Sequence, residues 1–211
     1  MSRTARLAIA MSVVLLLAAT AGLACDETVD GRTSLTAATG GGATTGGGAK
    51  ISLPAPQPDG PVSVEKAIQG RRSVREYSEE PLTLVELGRL LWAAQGVTSD
   101  RGGRAAPSAG GTYPLEVYAA AAMVTGLRPG VYHYLPQEHA LEMLSAVDIR
   151  GRLMEASLGQ VCVGDGAVDI IIAAVYERTT ERYGERGVRY VHLEAGHAAQ
   201  NLCLQAVALG L

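Results

Sequence analysis

A helical periodicity running from about Val188 to Leu209, with apolar residues on most of its faces, constrains this chain more than any other feature. A helix apolar nearly all round cannot rest on a surface and has to be covered on several sides. The rest of the chain offers the cover. Val168 to Tyr176 reads as an apolar buried strand, and Leu115 to Val124 and Val131 to Tyr134 as strands joined by the turn Arg128-Pro129-Gly130. Ala140 to Leu144 can return against the second as a hairpin across Pro136 to His139. Thr83, with Glu86 three residues later, forms a capping box, after which Leu84, Leu87, Leu90 and Leu91 recur at helical spacing up to Gly96. Val62 to Gln69 and Ile149 to Leu158 read as shorter helices. Helices and strands intermixed around an antiparallel hairpin give the α+β class, a mixed or antiparallel sheet flanked by helices.

The ends behave differently. From Asp26 to about Pro61 the chain is rich in Gly, Thr, Ala and Pro, including Gly40-Gly41-Gly42 and Gly46-Gly47-Gly48, and reads as a flexible tether ahead of a folded domain at 62–211. Residues 1–25 read as an export signal: Arg3 and Arg6, an apolar run from Leu7 to Ala19, then small residues up to Cys25. That run is short for a membrane span. Cys25 after Gly22-Leu23-Ala24 is similar to a bacterial lipoprotein signal, and plain cleavage after Ala21 or Ala24 is the alternative. Both place the domain outside the cytoplasmic membrane, tethered by lipid or periplasmic. At the other end the long helix runs into Gly210-Leu211. A glycine there normally caps a helix and leads into another element, so the domain is expected to be truncated, without a final strand.

Composition narrows the function. A net charge of −3 provides no general field for nucleic acid. Three cysteines, with Cys25 assigned to the signal, leave Cys162 and Cys203, which read as small buried apolar residues; pairing with each other is the alternative. No metal site is expected, since His192 and His197 are five residues apart rather than the four of a helical zinc pair. Glu194 and His197, three apart, are expected to share a structural hydrogen bond, and His133 and His139 to flank the hairpin at the surface.

Two stretches carry chemistry. Arg71, Arg72, Ser73 and Arg75 pack three guanidinium forks and a hydroxyl into five residues, a set suited to the oxygens of a phosphate ester. Arginines solvated at a helix C-terminus are the plainer explanation. The loop Pro107-Ser108-Ala109-Gly110-Gly111-Thr112-Tyr113-Pro114 has small residues that let backbone approach a flat ligand and hydroxyls that can orient it.

Taken with the strings RRSVREY, LLWAAQGVT, PSAGGTYPLEVY, GVYHYLPQEHALEML and LEAGHAAQNLCLQAVALGL, in that order from Arg71 to Leu211, the chain resembles the SagB/ThcOx-type branch of the FMN-dependent nitroreductase superfamily. The resemblance covers about Val62 to Leu211. It implies an α+β nitroreductase-like fold and a homodimer with FMN at the subunit interface. By that resemblance Arg71, Arg72, Ser73 and Arg75 hold the phosphate and ribityl chain, and Pro107, Ser108, Ala109 and Gly110 come from the partner subunit over the isoalloxazine. Gln200 and Asn201 match the family's helix motif, as flavin contacts or as packing. Where azoline-oxidising relatives carry a Lys-Tyr pair, this chain has Arg182 and Tyr183, so only Tyr183 is a candidate catalytic acid; arginine scarcely exchanges a proton at neutral pH. The implied function is FMN-dependent oxidation or reduction of a small or peptide-derived substrate, with a nicotinamide as candidate donor. The rival is a flavin-free binding or scaffold protein that keeps the fold.

Overall fold

The computed structural model describes residues 14–16 and 48–211. The export signal, Cys25 and most of the tether lie outside the described residues, apart from the short strand β1 (Val14–Leu16). Residues 50–53 lie inside the stretch read as tether, yet they belong to the folded body. Lys50–Ser52 form strand β2, and Leu53 is buried in the core.

One helix, α1 (Val64–Gly70), precedes the arginine segment, which has no regular structure. A two-residue strand β3 (Leu82–Thr83) then leads into α2 (Leu84–Gln95). The capping box is present: Thr83 Oγ1 accepts from the Glu86 amide and Glu86 accepts from the Thr83 amide, satisfying two donors that a helix start leaves open. Strands β4 (Leu115–Ala121), β5 (Val124–Thr125), β6 (Gly130–Leu135) and β7 (Ala140–Ser145) follow. The strand read as Leu115 to Val124 is thus two, because Ala122 and Met123 turn away and both donate to the Ala167 carbonyl. Short helices α3 (Arg150–Ala156) and α4 (Val161–Asp165) lead to β8 (Val168–Ala174), then α5 (Glu177–Tyr183) and the long α6 (Arg186–Leu209).

The main sheet has the order β1-β8-β4-β6-β7-β2, antiparallel at every pairing except β1 with β8, and a two-stranded parallel ribbon joins β3 to β5. Register places Leu115, Val117 and Ala119 beside Ala174, Ile172 and Ile170, with Tyr132 beside Ala119. These residues face α2 and α6, whose Leu87, Leu91, Val191, Ala195, Ala198 and Leu202 complete a single core. The other face mixes buried Ala120 and Ile171 with polar side chains along the same register. Tyr118 stacks on His133 with centroids 4.8 Å apart, and Glu116 accepts from His133 Nε2 at 2.7 Å and pairs with Arg178 at 2.6 Å.

Only one stripe of α6, Val191, Glu194/Ala195, Ala198 and Leu202, is fully buried. Its neighbours Val188 and Leu193 stay exposed, as do Val64 and Ile68 on α1. The expected cover on several sides is therefore not supplied by the described residues alone. Gly187 allows α6 to cross α5 closely, since a Cβ there would lie 2.9 Å from the Thr180 Cα.

Candidate functional site

Ser108 opens the small-residue loop in extended backbone, Ala109–Gly111 make one turn of 3-10 helix, and Gly110, Gly111 and Tyr113 all have positive φ, of 62°, 66° and 45°. Left-handed backbone is costly for a residue with a Cβ, so Tyr113 needs outside support. It has it on both sides. The Tyr113 amide donates to Ser108 Oγ at 2.9 Å, and Arg178 Nη1 donates to the Tyr113 carbonyl at 3.2 Å. Thr112 Oγ1 bonds Thr179 Oγ1 at 2.8 Å, and Arg182 Nη1 donates to the Gly110 carbonyl at 3.2 Å. Arg178, Thr179 and Arg182 all belong to α5, so that short helix braces the loop along its length.

Tyr183, the last residue of α5, lies against the same loop. A Cβ built on Gly110 would come within 2.5 Å of the Tyr183 hydroxyl and 3.0 Å of Arg182 Nη1. Glycine is needed here twice, for its φ and for the tyrosine. The Tyr183 ring is held edge-on by Tyr190 of α6, with centroids 5.2 Å apart. Arg182 spends its guanidinium on the Gly110 carbonyl and serves as a brace. The chain thus brings Gly110, with Ser108 and Ala109 in the same turn, against Tyr183, while Pro107 stands exposed at the loop's edge.

The arginine segment lies elsewhere. Arg72 folds back so that Nη1 donates to the Gln69 and Arg71 carbonyls at 2.9 and 2.7 Å, capping the end of α1. Arg71 and Arg75 have no ion-pair partner among the described residues, and Ser73 is exposed. Arg71 stands near Cys203 of α6, whose thiol burial pushes up and the Arg71 charge draws down. Ser108, by contrast, stands near Glu194 of the same helix. Nine residues of α-helix separate those two positions, about 14 Å at 1.5 Å per residue. The two halves expected of one site meet different stretches of α6 within this chain.

Arg71 and Arg75, without an ion-pair partner among the described residues, fit the phosphate end of a flavin nucleotide, and the exposed backbone of Gly110 and Gly111 fits the approach of a flat ring, although the space at the Gly110 Cα itself is taken by Tyr183 and Arg182. Arg72 would first have to release two backbone carbonyls. Three further residues of this region, Gln95, Arg104 and Thr179, carry no sequence signal and are marked only by the fold, which brings them to the loop and to one another.

Several expectations are corrected by packing. Glu194 turns into the core and is 2 % exposed, whereas His197 is exposed, so their expected hydrogen bond is absent. His133 and His139 are half-buried rather than free at the surface: His133 bonds Glu116, and His139 bridges the Tyr134 hydroxyl and the Pro54 carbonyl. Burial holds the His139 imidazole below its ordinary pKa, against the hydrogen bond to Pro54. Cys162 and Cys203 are free thiols, each half-buried. Asn201 uses its amide on the Ala105 carbonyl at 3.3 Å, a packing role, while Gln200 is exposed. Among the described residues no group of acidic, histidine and cysteine side chains could hold a metal, and no helix is long and apolar enough to cross a membrane.

Comparison with known proteins agrees with this architecture. The profile described as the nitroreductase family matches residues 68–211. A protein of Methanocaldococcus jannaschii named as a nitroreductase is 48% identical over 150 residues, covering 71% of this chain and 76% of its own. The microcin B17-processing protein of Escherichia coli is 30% identical over 110 residues, half of this chain and 40% of its own length. A crystal structure from Ralstonia eutropha, named for the same activity as the archaeal protein, superposes with a TM-score of 0.65 at 32% identity, over 76% of this chain and 72% of that one.

Proposed function

Because this chain belongs to the nitroreductase family and is an oxidoreductase of that fold, we propose that it uses FMN and works as a homodimer in the manner of the SagB/ThcOx branch. The single observation that carries the reading is the placement of Arg71, without a carboxylate partner among the described residues, at one stretch of α6, while the glycine loop packs on Tyr183 at another. The phosphate tail and the ring would then be held by residues of different chains. Exposed apolar residues on α1 and α6, Val64, Ile68 and Leu193, support a second copy packed there, as does the cavity of about 280 Å³ between α1, α2 and α6.

The bound flavin would accept and pass on a hydride equivalent, with the protein supplying position and electrostatics. Arg71, Arg72, Ser73 and Arg75 would hold the phosphate; Pro107, Ser108, Ala109 and Gly110 would set the height of the ring. Tyr183 Oη can hold or give a proton beside the loop. Arg182, fixed to the Gly110 carbonyl and permanently charged, orients the loop rather than exchanging a proton. The 30% identity to the microcin B17-processing protein supports a small or peptide-derived substrate. The apolar run leading to Cys25 and the glycine-rich stretch before Lys50 support an exported, membrane-tethered domain with lipid at Cys25 as the anchor, and cleavage there would take β1 from the edge of the sheet.

The test is reconstitution. Purified protein titrated with FMN should become a yellow dimer that dithionite or a nicotinamide donor bleaches. Arg71→Ala with Arg72→Ala removes two charged hydrogen-bond donors at about 1.5–3 kcal/mol each, so FMN affinity should fall by about 10²- to 10⁴-fold. Full-length protein that stays colourless in excess FMN would refute the reading.

A further inference from the structure

Beneath the Pro107–Tyr113 loop lies a polar cluster that the proposed flavin site does not use. Glu194 of α6 is 2 % exposed and Gln95, at the end of α2, is fully buried. Arg104 Nη1 donates to Gln95 Oε1 at 3.0 Å, and its guanidinium lies over the Tyr113 ring, 4.6 Å from the centroid. The Tyr113 amide donates to Ser108 Oγ. With that oxygen accepting, the Ser108 hydroxyl proton is free to point elsewhere, and the group beside it is the Glu194 carboxyl. The Gln95 amide also stands beside Glu194. Contacts therefore run from Gln95 through Arg104 and Tyr113 to Ser108, and Glu194 stands beside both ends of that run.

The cluster is built at a cost. Gln95 Nε2, Arg104 Nε and Glu194 Oε1 are buried without a hydrogen-bond partner among the described residues. Each unfilled donor or acceptor is unfavourable, and an apolar side chain of the same shape would remove the cost at Glu194. Core packing alone gives no reason for a carboxyl at this position. The backbone it reaches is the strained part of the loop, where Gly110, Gly111 and Tyr113 have positive φ. Burial raises the Glu194 pKa, and the neighbouring Ser108, Arg104 and Gln95 act against it.

We infer that Glu194 is a positioning residue that acts through Ser108 on one side and Gln95–Arg104 on the other to lock the Pro107–Tyr113 loop in the conformation that receives the flavin ring. The ligand part of this inference rests on the function proposed above; the locking part is a property of the chain alone. Glu194→Met keeps length and shape but offers no acceptor, and Glu194→Gln keeps one acceptor oxygen. Ser108→Ala removes the link to the loop.

Hydrogen exchange without flavin reads the lock directly, through the Tyr113 amide that Ser108 accepts. Glu194→Met and Ser108→Ala should each speed exchange over residues 108–113 by about tenfold or more, with α6 peptides unchanged. The double variant should be no faster than either single one, and Glu194→Gln should restore protection to within about threefold of wild type. Thermal stability of Glu194→Met should stay level or rise, where a purely structural role requires it to fall. In flavin titrations the same variants should weaken FMN binding in the same order. Unchanged exchange in Glu194→Met, additive effects in the double variant, or equal loss of protection along α6 would overturn the inference. If wild type binds no FMN while the exchange pattern holds, the flavin reading fails and the lock stands.

Discussion

Replacing Gly110 by alanine tests the juxtaposition of the loop with Tyr183. Two separable costs are expected. The backbone at φ 62° is left-handed, which costs a residue with a Cβ about 1–2 kcal/mol. The new methyl also arrives 2.5 Å from the Tyr183 hydroxyl and 3.0 Å from Arg182 Nη1, so the hydroxyl must retreat by roughly 1 Å and the guanidinium by about 0.5 Å to reach ordinary contact distance. Gly111 is a built-in control. Its φ is 66°, and a Cβ there meets only Tyr113 at 3.9 Å, so Gly111→Ala carries the backbone cost without the collision. For a domain of this size, 1–2 kcal/mol lowers Tm by about 2–8 °C, and Gly110→Ala should exceed Gly111→Ala by a further few degrees. Adding Tyr183→Phe deletes the atom struck first and should recover most of that difference in a double-mutant cycle read by calorimetry. If both alanine variants melt together, or Tyr183→Phe recovers nothing, the loop does not sit on Tyr183 and the proposed ring site fails with it.

Further outcomes follow from individual residues. Asp169 on β8 is fully buried, neither carboxylate oxygen has a partner among the described residues, and burial pushes its pKa up to about 7 from 3.8. A raised folded-state pKa means the protonated form is favoured in the fold, so stability is greatest below about pH 4 as far as this group goes and is lost as pH rises to about 7; the loss is at most about 4 kcal/mol. Asp169→Asn should therefore gain Tm relative to wild type progressively between pH 4 and 7 and hold a constant lead above it; a lead independent of pH would contradict the assignment. Thr83→Ala removes one arm of the capping box and should cost about 1 kcal/mol, 2–4 °C in Tm, with Thr83→Ser nearly neutral. Leu91→Ala, at a side chain fully buried against the sheet, should cost about 2–5 kcal/mol by denaturant titration.

Local chemistry was readable before the fold was known wherever it depends on near neighbours. The Thr83–Glu86 box, the β6–β7 hairpin and the apolar face of α2 all follow from residues a few positions apart. Helix α5 was missed because Glu177–Tyr183 carries two threonines and no apolar periodicity; it is held by contacts to the loop and to α6, not by its own propensity. Strand β2 was hidden in a glycine-rich stretch, since three residues gain strand geometry only from pairing with β7. The same limit applies to the site. Arg71 and Gly110 are marked by their immediate neighbours in sequence, whereas Gln95, Arg104 and Glu194 acquire meaning only when α2, the loop and α6 converge. The long helix was read correctly in extent, and its coverage was not. Apolar composition tells how much surface must be hidden but not whether the same chain or another one hides it.

Gly187 lets α5 and α6 pack backbone against backbone where they meet. Helix α5 ends in Tyr183 against the Pro107–Tyr113 loop, and α6 passes Arg71 at Cys203 and finishes at Leu209. In a dimer of the proposed kind, the arginine end and the loop end of one chain would serve two different ligands, so a tilt of this helix pair would couple the two sites to each other rather than the two ends of one.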